Sequence, residues 1–223
     1  MMAGQGRGGD PAKMRFAALA AVWREDPDAL APDEVAQRER LEARRERLEG
    51  IPAPITPEDR DAIFHGRLEA TEATLLIDAW LAGSLSDKPP RFLALVGQEG
   101  RGKTVAAVAA LVNHKGGAAF LRAPTLRALA TSNEARDKEL LANALYAGML
   151  VIDDLGTEAL DARTEEIMNE LINARQSHRR ARTILTANID EAELVARYGT
   201  RVVNRIKHQG EVVAVGGLNL RRQ

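Results

Sequence analysis

The sequence FLALVGQEGRGKT at residues 92–104 joins five apolar residues to a glycine-rich loop that ends in Lys103 and Thr104. The loop matches the pattern G-x-x-x-x-G-K-[ST], and the residues after it have helical periodicity. A strand, a glycine-rich loop and a helix in this order are the context in which the pattern binds phosphate. A chance match in a glycine-containing turn is the alternative, and the flanking segments argue against it.

Each part of this loop has a physical role in the expected nucleotide site. Glycines let the backbone curl with its N–H groups pointing inward, at the positive end of a helix dipole. We expect Lys103 to reach the β- and γ-phosphates of ATP and the Thr104 hydroxyl to ligate Mg²⁺. The expected ATP-binding residues are Gly97, Gln98, Glu99, Gly100, Arg101, Gly102, Lys103 and Thr104.

Two carboxylates follow the apolar run at residues 149–152. Ligands of parallel sheets bind at the carboxyl ends of the strands, so we expect Asp153 to hold Mg²⁺ through its water shell. Asp154 is expected to polarise the water that attacks the phosphate. An Asp-Asp pair by itself is more often a solvated turn, but the phosphate loop earlier in the chain favours the metal site.

The run TILTAN at residues 183–188 is typical of another strand that ends in a polar amide. Asn188 could hydrogen-bond the attacking water or the γ-phosphate from the neighbouring strand tip. Asparagine at a strand end is more often a turn former or the N-cap of the next helix. Both interpretations stay open at this point.

Beyond about residue 56, strand-like runs alternate with helical patterns, which predicts an α/β domain with a mainly parallel, five-stranded sheet. The expected strands are 92–96, 118–121, 149–153, 183–187 and 212–215. The expected helices are 103–113, 137–147, 163–178 and 191–206, with a shorter one near 124–130.

The N-terminal quarter of the chain has a different pattern. Apolar residues within 14–23 recur at helical spacing, which predicts a short amphipathic helix, and 11 of the 17 residues at 33–49 are charged. Prolines at 52, 54 and 57 bar helix continuation, so we predict a helical partner-binding module with its linker at 1–55 and an ATPase domain at 56–223. The charged helix is either a solvated connector or a docking helix for a protein partner.

Composition excludes several classes of protein. A hydrophobic share of 45% and a charged share of 28% are those of a soluble globular chain. The chain has no cysteine and no apolar run of the ~20 residues that a membrane span needs, so we expect a cytoplasmic protein with no membrane contact.

The distribution of charge points to local rather than bulk contact with nucleic acid. A net charge of −1 argues against a protein that coats DNA, but residues 175–223 hold ten Lys and Arg against four acids. Residues 24–49 hold nine acids against six Arg, which suits a protein partner.

The ordered set GQEGRGKT, LVIDDLGTE, TILTAN, RYGTRVVNRI and GGLNLR resembles the helicase-loader and transposition-helper ATPases of the DnaC and IstB type. The resemblance covers about residues 50–223. It implies an AAA+ P-loop NTPase core with three α/β/α layers, ATP hydrolysis, and self-assembly into a ring or spiral. It also implies binding of single-stranded DNA and a protein partner, either a replicative helicase or a transposase.

The resemblance also assigns residues by position. Asn188 matches the first sensor, Arg205 the arginine finger and Arg221 the second sensor. Arg201 lies one helical turn before Arg205 and is the competing finger, while a solvated helix face is the alternative for each arginine.

Two features of the chain depart from the family pattern or match no part of it. Asp154 is one methylene shorter than the Glu usual across AAA+ proteins, so hydrolysis is expected to be slow, and a nucleotide-dependent switch or structural subunit is an alternative function. The N-terminal 50 residues match no pattern that separates a helicase partner from a transposase partner.

A candidate DNA segment follows the second expected strand. Family members carry a helical element there that faces single-stranded DNA, and Arg122, Thr125 and Arg127 could contact phosphates. With no aromatic residue nearby for base stacking, binding should be weak and salt-sensitive. A purely structural helix is the alternative.

We predict that Lys103→Ala abolishes nucleotide binding, because it removes the only side-chain cation expected at the β- and γ-phosphates. Fluorescence titration with ATP measures the affinity. Unchanged affinity in a folded variant would contradict the phosphate-loop assignment.

Overall fold

A computed structural model describes residues 32–158, 162–178 and 180–217. The amphipathic helix expected around residues 14–23 and the expected second sensor Arg221 lie outside the described residues.

Five strands form one sheet, in which every neighbouring pair is parallel. They are β1 (Phe92–Val96), β2 (Ala118–Arg122), β3 (Met149–Leu155), β4 (Arg182–Ala187) and β5 (Gly210–Ala214). Their order across the sheet is β2-β3-β4-β1-β5. Since all strands run the same way, their carboxyl ends share one edge of the sheet and their amino ends the other.

Helices cover both faces of this sheet. The helices among the described residues are α1 (Pro32–Glu49), α2 (Pro57–His65), α3 (Glu72–Leu81), α4 (Lys103–Asn113), α5 (Leu126–Thr131), α6 (Ala135–Tyr146), α7 (Ala162–Ser177) and α8 (Glu191–His208), with a 3₁₀ turn at Ala123–Thr125 before α5.

The two faces bury separate hydrophobic clusters because side chains alternate along a strand. In β1, Phe92, Ala94 and Val96 pack with residues of α7 and α8, whereas Leu93 and Leu95 pack with residues of α3 and α4. All five residues of β1 are buried, as is typical of a strand covered on both sides. The expected three-layer α/β/α fold is thus confirmed.

The strands and helices expected from sequence are present, with shifts at their ends. The largest strand shifts are two residues: β5 begins at residue 210 rather than 212, and β3 ends at residue 155 rather than 153. Two helices were not expected, α2 and α3. Pro57 was interpreted as a barrier to helix continuation, but it opens α2 near the first helical position, where a missing N–H costs nothing, and Thr56 caps that helix. At the start of α3, Thr71 caps the helix and Thr74 stands at the position where Glu or Gln is usual. The sequence therefore indicates the beginning of this helix only weakly.

Helix α8 is broken inside, which the sequence analysis did not foresee. Gly199 has φ 80° and ψ 151°, so the segment is two helices joined at a kink. An L side chain rarely adopts such a φ, whereas glycine does so readily. Arg201 and Arg205 both lie in the half after the kink.

The chain divides into two compact units, residues 1–43 and 44–223. Within the first unit, the described part of α1 carries an exposed ion pair between Arg38 and Glu42, 3.0 Å apart. Within the second, Leu48, Ile51 and Ala53 are buried in the hydrophobic cluster that contains α3 and α4. The assignment of residues 1–55 to a separate partner-binding module stays a prediction, and a truncated ATPase domain should keep these three residues.

Candidate nucleotide and metal site

The glycine-rich loop between β1 and α4 has a backbone that only glycine can adopt at one position. Gly97 has φ 121°, and a Cβ at this residue would lie 2.9 Å from the carbonyl oxygen of Val215. A side chain there would therefore require the backbone after β5 to move. Gly102, with φ 75°, precedes α4, so the first turn of the helix opens directly from the loop. Such a turn presents backbone N–H groups and the positive end of the dipole to an anion.

Lys103 is the first residue of α4, and its side chain is buried against the loop. Its ammonium Nζ donates hydrogen bonds to the carbonyl oxygens of Gly97 and Gln98, at 2.7 and 2.6 Å. Arg101 donates to the carbonyl oxygen of Gly217 and to Gln98 Oε1. The loop thus brings two cationic groups together around one short stretch of backbone.

Asp153, near the end of β3, receives two hydroxyl donors on the same oxygen. Thr104 Oγ1 lies 2.7 Å and Thr186 Oγ1 2.6 Å from Asp153 Oδ1. The other oxygen, Oδ2, is buried and has no hydrogen-bond partner among the described residues. Burial raises the pKa of Asp153 and the charge of Asp154 raises it further, while the two hydroxyl donors and Arg122 lower it. A cation beside Oδ2 would relieve the cost of this buried charge, so the residues present fit a divalent metal.

Asp154 has the only positive φ, 67°, among the described non-glycine residues. Its backbone N–H donates to Thr186 Oγ1 at 3.0 Å. One carboxylate oxygen accepts from Asn188 Nδ2 at 2.9 Å, and the other lies 3.5 Å from the guanidinium of Arg122. Strained backbone of this kind costs about 1–3 kcal/mol and persists where surrounding contacts hold it. The side chain is therefore fixed by both neighbouring strands.

The structure distinguishes between the interpretations of Asn188. The N-cap of α8 is Asp190, whose side chain accepts from the backbone N–H of Glu193 at 2.8 Å. Asn188 does not cap this helix, and its amide instead contacts Asp154 across the strand tips. The N-cap interpretation is thus wrong.

Two residues of this cluster were missed or placed elsewhere by the sequence analysis. Thr186 is an ordinary strand residue by sequence, but β4 lies between β1 and β3, so its hydroxyl reaches both aspartates. Arg122 was expected to face DNA, and it also approaches Asp154, since it is paired with Asp153 in the register of β2 and β3. No signal in one sequence reveals either contact, because each depends on strand order.

A second buried carboxylate secures the loop after β3. Glu158 accepts hydrogen bonds from the Gly156 backbone N–H at 3.1 Å and from the Tyr198 hydroxyl, and Arg197 lies 3.5 Å away. Burial raises the pKa of Tyr198, and the hydrogen bond and charge of Glu158 raise it further. Tyr198 directly precedes the kink at Gly199, so the loop that follows β3 and Asp154 is tied to the first half of α8.

Of the arginines assigned by resemblance, Arg205 and its competitor Arg201 make no hydrogen bond or ion pair with this cluster. Arg205 is half-buried and makes a long hydrogen bond, 3.4 Å, to Asn169 of α7. Arg201 is exposed and makes no hydrogen bond or ion pair with the described part of the chain. Arg122 sits at the aspartate pair, whereas Thr125 and Arg127 are exposed at the start of α5.

A family-wide sequence profile described as "IstB-like ATP binding protein" matches residues 30–223. No curated protein sequence matches the chain. Among the described residues, no helix is both long and apolar enough to cross a membrane.

Solved structures share the fold at low sequence identity. The DnaC helicase loader has a TM-score of 0.56 and 22% identity, covering 72% of this chain and 100% of that chain. DnaI has a TM-score of 0.54 and 23% identity, covering 79% and 93%. Replication initiator DnaA bound to AMPPCP and single-stranded DNA has a TM-score of 0.53 and 17% identity, covering 70% and 50%.

We expect Thr186→Val to weaken the metal site without unfolding the domain. The change keeps the shape but leaves Asp153 with one hydroxyl donor and the Asp154 N–H without its acceptor, at a cost of about 1–2 kcal/mol. The Mg²⁺ concentration for half-maximal binding of an ATP analogue should rise about tenfold. Thr131→Val is the matched control, because its exposed hydroxyl bonds only to backbone carbonyls of its own helix. Equal Mg²⁺ dependence in the two variants would contradict the role of Thr186.

Proposed function

The chain belongs to the family of IstB-like ATP-binding proteins, and we propose that it binds and hydrolyses ATP at the cluster of Lys103, Thr104, Asp153 and Asp154. The observation that carries the proposal is the pair of hydrogen bonds that joins Thr104 of the glycine-rich loop and Thr186 of β4 to one oxygen of Asp153. These bonds bring a phosphate loop and an acidic strand tip into one site.

The loop residues 97–104 would bind the triphosphate. The backbone N–H groups at the start of α4 would face the phosphate oxygens, and the ammonium of Lys103 would exchange its carbonyl partners for the β- and γ-phosphates. Exchanging neutral acceptors for charged ones is favourable, because charge-assisted hydrogen bonds are roughly twice as strong.

Thr104 and Asp153 would hold Mg²⁺, through the hydroxyl and through Oδ2. The cation, when bound, would neutralise charge on the phosphate oxygens. In the protein alone, Thr104 and Thr186 keep the carboxylate of Asp153 in one orientation.

Asp154 would accept a proton from the attacking water, and Asn188 would orient the carboxylate and the water. In this structure both oxygens of Asp154 have neighbours, Asn188 and Arg122. This arrangement also supports a second candidate, a nucleotide-dependent switch with slow turnover, because the base must leave Arg122 to act on water. Measured turnover with tight ATP binding distinguishes the two functions.

Self-assembly would complete the site. We propose that Arg205 reaches the γ-phosphate on an adjacent subunit, with Arg201 as the competing residue, and that Arg221, outside the described residues, acts as a second sensor. Arg201 and Arg205 both follow the kink at Gly199. The contact between Tyr198 and Glu158 links the helix just before this kink to the loop after β3. A guanidinium supplied in this way is worth about 10³–10⁵ in rate in the best-studied phosphoryl-transfer enzymes.

Arg205→Ala is expected to bind ATP normally and hydrolyse it poorly, and mixing it with Lys103→Ala is expected to recover activity. A mixed interface can pair one intact phosphate loop with one intact arginine, so recovery should depend on protein concentration. Arg201→Ala run in parallel is the matched control. Full activity of Arg205→Ala together with loss in Arg201→Ala would assign the finger to Arg201, and full activity in both would contradict assembly-dependent hydrolysis.

For the biological role we propose a helicase loader in DNA replication, with an IstB-like transposition helper as the alternative. The fold likeness to the DnaC helicase loader and to DnaI supports the first, and the family description supports the second. The acidic N-terminal residues would bind the protein partner. Arg122, Thr125 and Arg127 would make weak contacts to single-stranded DNA, and with such partners the protein would act in the cytoplasm.

In the presence of ATP, we expect the full chain to capture a purified ring helicase, while a chain of residues 44–223 binds ATP but not the helicase. The cut is placed at residue 44 because residues 48–53 belong to the hydrophobic core of the ATPase domain. Co-sedimentation measures partner binding, and nucleotide titration checks the fold of the shorter chain. Capture of a transposase instead of the helicase would favour the transposition helper.

A further inference from the structure

The edge of the sheet opposite the nucleotide site carries basic loops. Three segments lead into neighbouring strands there, each with the end of a helix and the loop after it: residues 113–117 before β2, 144–148 before β3 and 177–181 before β4. With the first residues of these strands, they contain four Lys or Arg and two His, and no Asp or Glu. In a chain of net charge −1, this is a marked local excess of positive charge.

The fold brings these loops side by side, because β2, β3 and β4 are consecutive in the sheet. The backbone N–H of Met149 donates to Gly117 at 3.1 Å, and that of Arg182 donates to Gly148 at 2.9 Å. Neighbouring strands lie about 4.7–4.9 Å apart, so the three loops span on the order of 10 Å. Asn113, His114, Lys115 and Arg182 line a shared open pocket of about 260 Å³.

Two other arginines at this edge are explained by helix capping. Helices end at this edge, and cations there stabilise the terminal carbonyl groups. Arg47 donates to the carbonyl oxygen of His114, and buried Arg175 donates to the carbonyl oxygens of Ala144, Leu145 and Ala147. These two guanidinium groups are committed to the fold.

Three further cations are not committed in this way. Lys115 and Arg180 are exposed and Arg182 is half-buried, and their side chains make no hydrogen bond or ion pair with the described residues. The guanidinium groups of Arg182 and Arg47 act on His114, whose pKa is lowered first by burial and then by these two charges. The loops therefore form a positive surface that an anion would stabilise.

An aromatic ring lies in the middle one of these three segments. Tyr146, the last residue of α6, is 72% exposed and packs edge-on against His178, with ring centroids 5.3 Å apart. One face of an exposed ring next to basic residues is the arrangement on which unpaired bases stack. Gly117, where a Cβ would meet nothing within 4 Å, leaves the backbone just before β2 open.

We propose that the surface formed by Lys115, Tyr146, His178, Arg180 and Arg182 binds single-stranded nucleic acid, with the cations on the phosphates and Tyr146 stacked on a base. The surface is separate from the segment at Arg122–Arg127, because it lies at the amino ends of the strands rather than the carboxyl ends. It does not depend on ATP binding or hydrolysis.

Single-stranded nucleic acid fits this surface better than an acidic peptide does. Carboxylates would satisfy the three cations but would leave the exposed ring of Tyr146 without a role, whereas a strand with splayed bases uses both. The cations also lie on separate loops, which suits a repeating row of phosphates better than one isolated anion.

The test compares two double variants of the full chain with equal charge change. Lys115→Glu with Arg180→Glu alters the proposed surface, and Arg136→Glu with Lys138→Glu alters exposed residues of α6 as the matched control. Tyr146→Ala tests stacking by itself. The probes are a fluorescein-labelled oligothymidine of about 20 nucleotides and a duplex of the same length, measured by anisotropy over a range of salt concentrations. Poly-glutamate serves as an acidic-peptide competitor, and ATP titration verifies that each variant is folded.

We expect the surface variant to bind the oligothymidine at least tenfold more weakly, with the control variant unchanged. The slope of log K against log salt concentration should become shallower by about two in the surface variant. Tyr146→Ala should weaken single-strand binding about tenfold and leave duplex binding unchanged. A further variant, Arg127→Glu, alters the segment at Arg122–Arg127 instead of the proposed surface. The proposal is overturned if the parent chain binds no oligothymidine at low salt, or if the surface and control variants weaken binding equally. It is also overturned if Arg127→Glu weakens binding and the surface variant does not. Competition by poly-glutamate as strong as that by oligothymidine, with no effect of Tyr146→Ala, would assign the surface to an acidic protein instead.

Discussion

The carboxylate of Asp153 organises the candidate site, because the hydroxyl groups of Thr104 and Thr186 donate to the same one of its oxygens. Thr104 belongs to the first turn of α4 and Thr186 to the tip of β4, so these two short bonds lock the glycine-rich loop, the acidic strand and the strand between them into one arrangement. The second oxygen stays buried without a protein partner among the described residues. An ionised carboxylate in that position is costly, and a bound cation is the natural way to reduce the cost.

The parallel sheet gives the domain two edges of different chemistry. At the carboxyl edge, α4 begins next to the glycine-rich loop and its positive end favours phosphate. At the amino edge, helices end and their carbonyl groups attract cations such as Arg47 and Arg175. Cations beyond those needed for capping then make the amino edge a surface for a second anion. A nucleotide and a nucleic acid could therefore occupy the same domain without competing for one set of charges.

The contact between Glu158 and Tyr198 links the site to the arginines expected to act between subunits. The acidic loop after β3 and the first half of α8 share this buried hydrogen bond, and the second half of α8 begins after Gly199. A change in the loop that follows Asp154 and the end of β3 would therefore act on α8 just before its kink. Because of the kink, the half of α8 that carries Arg201 and Arg205 does not continue the direction of the first half. Its orientation therefore depends on Gly199 and on the packing of Tyr198.

The sequence by itself determined the α/β class and the five strands, and it predicted the phosphate loop and the acidic pair Asp153 and Asp154, because hydrophobic period and glycine placement are local properties. It did not reveal α2, where Pro57 opens a helix rather than preventing one, nor the break at Gly199. The sequence also did not distinguish whether Asn188 caps the next helix or makes a polar contact at the strand tips. Tertiary structure decided these points, together with the roles of Thr186 and Arg122, since each depends on which strands are neighbours. The amino edge likewise becomes one surface only when β2, β3 and β4 align, because its cations come from loops far apart in the chain.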